Sequence, residues 1–430
     1  MVHRGKIRVL FVVPYVPNLI RVRPYNLIRH LAARGHEVTV LTLWSNQQER
    51  ADAEALQEHC HRVVALPLPR WRSLWNCLRA LPTSVPLQAV YCWQPGLKSK
   101  IQNPKSKFDV IHIEHLRGAR YGLAIKDLQL ATGNWQPPVV WDSVDCISYL
   151  FEQAARDSRS TFGRLVTRWE LSRTRRYEAW LVHQFDRILV TSETDKQALQ
   201  DLASRFTFHA SRFTFDVSRI TNHESRITVL PNGVDLTYFT PTDEPREPAT
   251  LVISGKMSYH ANVTAVLHLV HDIMPHVWAQ RPDVKLWIVG KDPPREITNL
   301  KSQIPNPKSK IAVTGTVPDI RPYLRQATLS VVPVSYGAGI QNKVLEAMAC
   351  GTPVVASPQA VSALQATDGK HLLVAEGSTA FAQAVLRLLD APDLRAWLGQ
   401  AGRQYVEGHH NWDRIAGQLE EVYESVKRET

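Results

Sequence analysis

The sequence predicts an α/β chain made of two Rossmann-like, doubly wound domains facing a central cleft. Three observations predict it. Short apolar runs alternate with helical stretches along most of the chain, the alternation restarts after residue 226, and 430 residues suffice for two separate cores. Residues 7–13 form a continuous apolar run, 14–23 read as a loop, and 24–34 have helical spacing with proline in the first turn, where it is tolerated. Gly35 stands where a helix ends on a left-handed residue, and 37–43 read as the next strand. This strand, loop, helix and strand make a parallel-sheet unit, and apolar runs at 109–113, 139–141 and 187–190 continue its sheet. Runs at 227–230, 251–254, 285–289, 312–314, 329–333 and 354–357 predict the second sheet, followed by helices at 379–389 and 392–407. The expected divisions are an N-terminal domain over 1–203, a low-complexity insertion over 204–226 and a C-terminal domain over 227–410. A last amphipathic helix within 411–430 is expected to pack back on the first domain. Ligands bind such folds at the carboxyl ends of the strands, so the chemistry is expected there.

Composition narrows the class. With 44% hydrophobic and 21% charged residues the chain is globular, and it lacks the run of about 18 uncharged apolar residues that a membrane span needs. The first ten residues lack the apolar stretch of a signal peptide, so a cytoplasmic protein is expected. Cys60, Cys77, Cys92, Cys146 and Cys350 show no metal-ligand spacing and read as reduced structural thiols. The net charge of +11 would suit nucleic acid or anionic lipid, but its placement argues otherwise. Most of it sits in three segments, 98–107, 204–226 and 301–310, that repeat every seven residues: SRFT or SRIT begins at Ser204, Ser211, Ser218 and Ser225. Proline in one type and strand-like alternation in the other exclude a coiled-coil seam. They read as surface loop expansions, so no nucleic-acid partner is expected.

Two motifs carry the function. The segment Ile227-Thr-Val-Leu-Pro-Asn-Gly-Val-Asp-Leu-Thr-Tyr-Phe239 contains Asn232, and residues 336–357 read Tyr-Gly-Ala-Gly-Ile-Gln-Asn-Lys-Val-Leu-Glu-Ala-Met-Ala-Cys-Gly-Thr-Pro-Val-Val-Ala-Ser. In the second, Gly337 and Gly339 allow close backbone approach ahead of a helix expected from Ile340 to residue 349 and closed by Gly351. Its N-terminal amides would suit a diphosphate. Lys343 and Glu346, three apart, share a face; the alternative to a ligand site is an exposed helix pair of small energetic weight.

In these two motifs, and in Ser254-Gly-Lys-Met-Ser-Tyr-His-Ala-Asn262 and Gly315-Thr-Val-Pro-Asp-Ile-Arg-Pro-Tyr-Leu324 between them, the chain resembles the family 4-like glycosyltransferases of GT-B fold, the kind associated with exopolysaccharides. The resemblance covers nearly all of 225–410. It implies that Glu346 binds the donor's ribose hydroxyls and that Gly255, Lys256 and Lys343 meet the diphosphate. Many members carry a second glutamate where Ala338 stands here, and two basic residues where Gly255 and Lys256 stand. The resemblance further implies a nucleotide-sugar donor, retention of anomeric configuration and no tightly bound metal or other cofactor.

The N-terminal domain matches less closely. Arg21 and Arg23 lie in the loop 14–23, which has no glycine; they are candidates for phosphate or acceptor, or for a solvated loop. Asp109-Val-Ile-His-Ile-Glu-His115 resembles the family's strand ending in an active-site histidine, which makes His115 the candidate, the alternative being a satisfied strand-end histidine. Asp142 and Asp145 end another strand, and either is a candidate acceptor base. The arginine-rich stretch Arg168-Trp-Glu-Leu-Ser-Arg-Thr-Arg-Arg-Tyr-Glu178 reads as a solvated face or as a basic surface for anionic membrane at the inner face of the plasma membrane. The expected function is transfer from a nucleotide sugar to a glycan or lipid-linked acceptor. The alternatives are a nucleotide-sugar epimerase of the same fold and a non-enzymatic basic binding protein.

Overall fold

The computed structural model describes residues 5–102, 108–132, 136–157, 161–206, 226–300, 311–336 and 340–429. The chain divides into two compact units, Met1–Pro231 with Trp412–Thr430, and Asn232–Asn411.

The first unit is built on a seven-stranded sheet in which every pairing is parallel. Its strands are β1 (Arg8–Val13), β2 (Glu37–Trp44), β3 (Arg62–Pro67), β4 (Val110–Glu114), β5 (Val139–Val144), β6 (Arg187–Val190) and β7 (Ile227–Val229), in the order β3-β2-β1-β4-β5-β6-β7. Central parallel strands are covered on both faces, which is why β1 reads as a run of apolar residues without alternation. Leu10 and Val12 enter one core with Ile111, Ile113 and Trp141, while Val9, Phe11 and Val13 enter another with Leu27, Ile28 and Leu31 of the helix Val22–Ala33. The sequence placed residues 227–230 at the start of the second domain. They instead form the edge strand of the first sheet, because Ile188, Leu189 and Val190 of β6 offer an unfilled edge in register with Ile227, Thr228 and Val229.

The helix Trp412–Glu429 completes this unit. Ile415, Ala416, Leu419, Tyr423 and Val426 recur at helical spacing and fill the core beside Leu27 and Leu31. The Arg34 guanidinium grips Glu420 at 2.6 Å, His36 Nε2 lies 2.7 Å from the same carboxylate, and the Tyr423 hydroxyl bonds His112 Nδ1 at 2.9 Å.

The second unit holds β8 (Glu247–Ser254), β9 (Lys285–Val289), β10 (Ile311–Gly315), β11 (Ala327–Val332), β12 (Val354–Ala356) and β13 (Leu373–Val374), in the parallel order β10-β9-β8-β11-β12-β13. Its two connections to the rest of the chain are tied together: His410 Nδ1 donates to the Asn232 carbonyl at 2.7 Å, and the Val234 amide donates to the His410 carbonyl at 2.8 Å. The periodic segments 207–225 and 301–310, and residues 103–107 of the third, lie outside the described residues. No helix among the described residues is long and apolar enough to cross a membrane.

Candidate active site

Functional side chains gather at the carboxyl ends of the strands in each unit. In the second unit β8 and β9 end side by side on Gly255 and Gly290, whose φ angles are +144° and +155°. A Cβ on Gly290 would lie 1.7 Å from the Gly255 carbonyl oxygen, and one on Gly255 would lie 2.9 Å from Asn262 Nδ2. Only glycine fits either place. Asn262 Nδ2 donates to the Lys256 carbonyl at 2.9 Å, and its Oδ1 accepts from the ammonium of Lys343. The Lys343 side chain therefore reaches from the helix Asn342–Ala349 to the strand end at Gly255. Lys256 itself is exposed.

That helix begins at Asn342, two residues later than the sequence suggested, and no side chain caps it. Ile340 is buried as an apolar anchor ahead of it, and Gly351, at φ +65°, closes it as expected. The expected glycine contacts at Gly337 and Gly339 lie outside the described residues, as does Ala338. Lys343 and Glu346 are not an exposed pair. Burial pulls the Lys343 ammonium down to about 8 against the charge of Glu346, and burial pushes the Glu346 carboxyl up to about 7 against the charge of Lys343. The Glu346 carboxylate has no hydrogen-bond partner among the described residues. Beside them the Tyr336 hydroxyl meets His260 Nδ1 at 2.8 Å and Thr264 Oγ1 at 3.2 Å, fixing the entry to the glycine segment. Gly290, His260 and Tyr336 were not singled out as site residues, although a glycine immediately after the apolar run 285–289 is a legible sign of close backbone approach.

In the first unit the loop after β1 is not an open phosphate loop. Arg21 donates to the Val16 carbonyl at 3.1 Å and to Glu49 at 2.8 Å, and its guanidinium lies over the Tyr15 ring. Arg23 is buried, donating to Asp142 at 2.8 Å and to the Leu230 carbonyl at 2.9 Å. Arg23 is thus spent on holding the loop, because a buried guanidinium needs a carboxylate and carbonyls around it, whereas Arg21 keeps a third of its side chain exposed beside Glu49.

Asp142 is corrected in the same way. Its side chain is fully buried, accepts from Arg23 and from the Val144 amide at 3.1 Å, and lies 3.5 Å from His112 Nε2. Burial would raise this carboxyl, but Arg23 and His112 hold it below its ordinary range. That makes Asp142 a counter-ion and not an acceptor base. His112, Glu114 and Asp142 offer ligand atoms within 4.8 Å of one another, the spacing of a cation site. Arg23 already supplies positive charge there, and Asp142 and Glu114 together raise His112 in spite of its burial. Arg23 and His112 thus offset negative charge there, while burial and Asp142 raise the Glu114 carboxyl, whose Oε2 has no hydrogen-bond partner among the described residues. Sequence reading missed it because His112 and Glu114 sit inside an apolar strand and looked like its filling.

His115 and Asp145 differ from Asp142 in being only partly buried. His115 has φ +62° and Val144, just before Asp145, has φ +69°, both unusual for non-glycine residues and both at strand carboxyl ends. The Arg117 amide donates to His115 Nδ1 at 3.3 Å, and burial with the Arg117 charge lowers the imidazole to about 3, so the ring is neutral and carries its proton on Nε2. Burial and the neighbouring Asp195 push Asp145 up to about 7, while a 3.2 Å bond from the Thr191 hydroxyl opposes them. Each strand end thus carries one polar group shifted toward its neutral form, an imidazole on β4 and a carboxyl on β5.

The comparisons agree with this two-part layout. Residues 20–207 match the glycosyl transferase 4-like domain and residues 248–391 match the glycosyl transferases group 1 family. The chain belongs to the family 4-like glycosyltransferases of GT-B fold. It is similar to the GDP-mannose-dependent monoacylated alpha-(1-6)-phosphatidylinositol monomannoside mannosyltransferase of Corynebacterium glutamicum, 30% identical over 46% of this chain and 56% of that one. It is also similar to the D-inositol 3-phosphate glycosyltransferase of an Arthrobacter species, 32% identical over 46% of this chain and 50% of that one. The chain thus spans about half the length of these curated relatives. Among solved structures, sucrose-phosphate synthase from Thermosynechococcus elongatus matches 99% of this chain and all of its own with a TM-score of 0.65 at 18% identity. Anabaena HepE in complex with UDP and glucose matches 97% of this chain and all of its own with a TM-score of 0.63 at 13% identity. At those identities they speak for the fold alone.

Proposed function

We propose that the protein is a retaining hexosyltransferase that moves a sugar from a nucleoside diphosphate sugar to a glycan or lipid-linked acceptor, in the synthesis of cell-surface polysaccharide. The observation that carries the reading is the placement of the Lys343 ammonium beside the glycine-lined end of β8, with Glu346 one turn further along the same helix. Glu346 would accept hydrogen bonds from the two ribose hydroxyls of the donor. Lys343, Lys256 and the uncapped amides at the start of the helix Asn342–Ala349 would take the diphosphate, with Asn262 steering the Lys343 ammonium. Gly337, Gly339 and the Asn232 segment complete the donor half in this reading. Negative charge grows on the diphosphate as the glycosidic bond breaks, so these groups stabilise the transition state more than the bound donor. The reading draws that charge stabilisation from side chains and amides and requires no resident metal.

In the acceptor half, His115 Nε2–H orients a hydroxyl and Asp145 receives its proton. Curated relatives bear names that specify GDP-mannose and phosphatidylinositol-linked substrates, which favours a nucleotide sugar and a lipid-linked acceptor here. Incubation with nucleotide sugars and lipid-linked or free saccharide acceptors, followed by proton NMR of the product, tests the reading. The α configuration of the donor is expected in the product; an inverted centre sinks the retaining mechanism, and release of an epimerised sugar sinks transfer itself.

A further inference from the structure

The helix Arg70–Ala80 is inverted. Its small side chains Ser73 and Ala80 face inward, while Trp71, Leu74, Trp75 and Leu78, with Leu81 just beyond, are 46–63% exposed. At 3.6 residues per turn these five occupy an arc of roughly 120°. A surface helix of a globular protein turns such a stripe toward the core, so a stripe turned outward has a partner elsewhere. Charge says which kind. The helix contains Arg70, Arg72 and Arg79 and no acidic residue, and the three arginines flank the arc on its two sides. Arg72 lies 5.0 Å from the Trp71 ring centroid and Arg79 4.8 Å from that of Trp75, which keeps the cations at the rim of the apolar face.

The helix and the chain leaving it are tied to the rest of the unit by hydrogen bonds. Asn76 Nδ2 donates to the Trp93 carbonyl at 2.9 Å. The chain leaving the helix is clamped by the buried Arg173 guanidinium, which takes the carbonyls of Ala80 at 2.6 Å, Thr83 at 2.9 Å and Val85. Arg173 belongs to the arginine-rich stretch that the sequence offered as a membrane surface. Only one side of that stretch turns inward, with Leu171, Arg173, Thr174 and Glu178 buried and Glu178 accepting the Ile147 and Ser148 amides, while Arg168, Trp169, Ser172 and Arg176 stay exposed.

We propose that the Trp71, Leu74, Trp75, Leu78 and Leu81 face docks the first unit on an anionic phospholipid surface, the indoles and leucines entering the acyl boundary and Arg70, Arg72 and Arg79 meeting lipid phosphates. Indole and arginine at the edges of an apolar stripe are the composition that lies in a membrane interface. This stands on the helix alone and does not rest on the transfer reading.

The test is flotation of the full chain with phosphatidylcholine vesicles made with and without phosphatidylglycerol. The protein is expected to float with the anionic vesicles, and the double variant Trp71→Ser, Trp75→Ser to lose at least about tenfold in vesicle partitioning. Its thermal midpoint and nucleotide affinity should match the parent's, since both side chains are exposed. The triple variant Arg70→Gln, Arg72→Gln, Arg79→Gln should lose the preference for anionic vesicles. Failure of the parent to float, or equal partitioning of the tryptophan variant, overturns the proposal. So does a dimer seen by light scattering that the tryptophan variant converts to monomer, because the face then belongs to a second copy of the chain.

Discussion

At the end of the first sheet Arg23 is bonded to Asp142 and His112 lies beside both Asp142 and Glu114, although burial and Asp142 raise the Glu114 carboxyl and its Oε2 has no hydrogen-bond partner among the described residues. At the start of the helix Asn342–Ala349 a lysine and a glutamate are also withdrawn from water, but Lys343 reaches only a neutral amide and Glu346 has no hydrogen-bond partner among the described residues. The first group contains a cation bonded to a carboxylate, and the second does not. Burial of charge therefore does not by itself mark a binding site. What sets Lys343 and Glu346 apart is that no hydrogen bond joins the two, while burial moves both toward neutrality.

Breaking the first group should have the largest effect. Arg23→Met leaves Asp142 buried without its main cation and is expected to cost about 3–5 kcal/mol of stability, read by denaturant unfolding of the first unit. Nucleotide affinity of the folded protein should hardly change; a parallel loss of affinity would mean that the two groups are not separate. In the second group the expectation reverses. Glu346→Ala should leave stability nearly unaltered and weaken the nucleoside diphosphate by about tenfold or more in calorimetric titration, since two ribose hydrogen bonds to a charged group are lost. Undiminished affinity would remove Glu346 from the donor site.

The smallest effect sharpens the contrast through pH. Glu346 titrates near 4.5 when unfolded and near 7 when folded, so between those values the native state keeps a proton that the unfolded chain has released. Stability is therefore lost as pH rises from about 4.5 to about 7. Glu346→Gln should match the parent near pH 4 and exceed it by about 1–2 kcal/mol at pH 8, allowing for the partial exposure of the group. Thermal midpoints across that range check it, and a gap independent of pH would contradict the assigned burial.

Much of the architecture was legible because parallel strands are apolar throughout and their helices keep a 3.6 period. Most strands of both sheets, the return of the last helix and the closure at Gly351 follow from such local patterns, whereas the edge strands Arg62–Pro67 and Leu373–Val374 were not read. The strand 227–229 was assigned to the wrong unit because three apolar residues carry no mark of which edge they will complete. The candidate donor residues could be named for a different reason: Gly255, Lys343 and Glu346 lie within short, ordered motifs. The acceptor half was not legible, because Arg23 and Asp142 are 119 residues apart in sequence and only folding shows that each answers the other. Trp71, Leu74, Trp75 and Leu78 present the same apolar spacing whether they face core or solvent, so the inverted helix could not be read from sequence.

The first unit leaves the chain at Pro231 and resumes only at Trp412, whereas the second is continuous. During synthesis the sheet face that carries Leu27, Leu31 and Phe11 must wait, uncovered, until the whole second unit has been made, roughly 10–40 s at about 5–20 residues per second. The second unit can fold on emergence, and the first cannot. The half that is synthesised first is thus the half whose core is completed last.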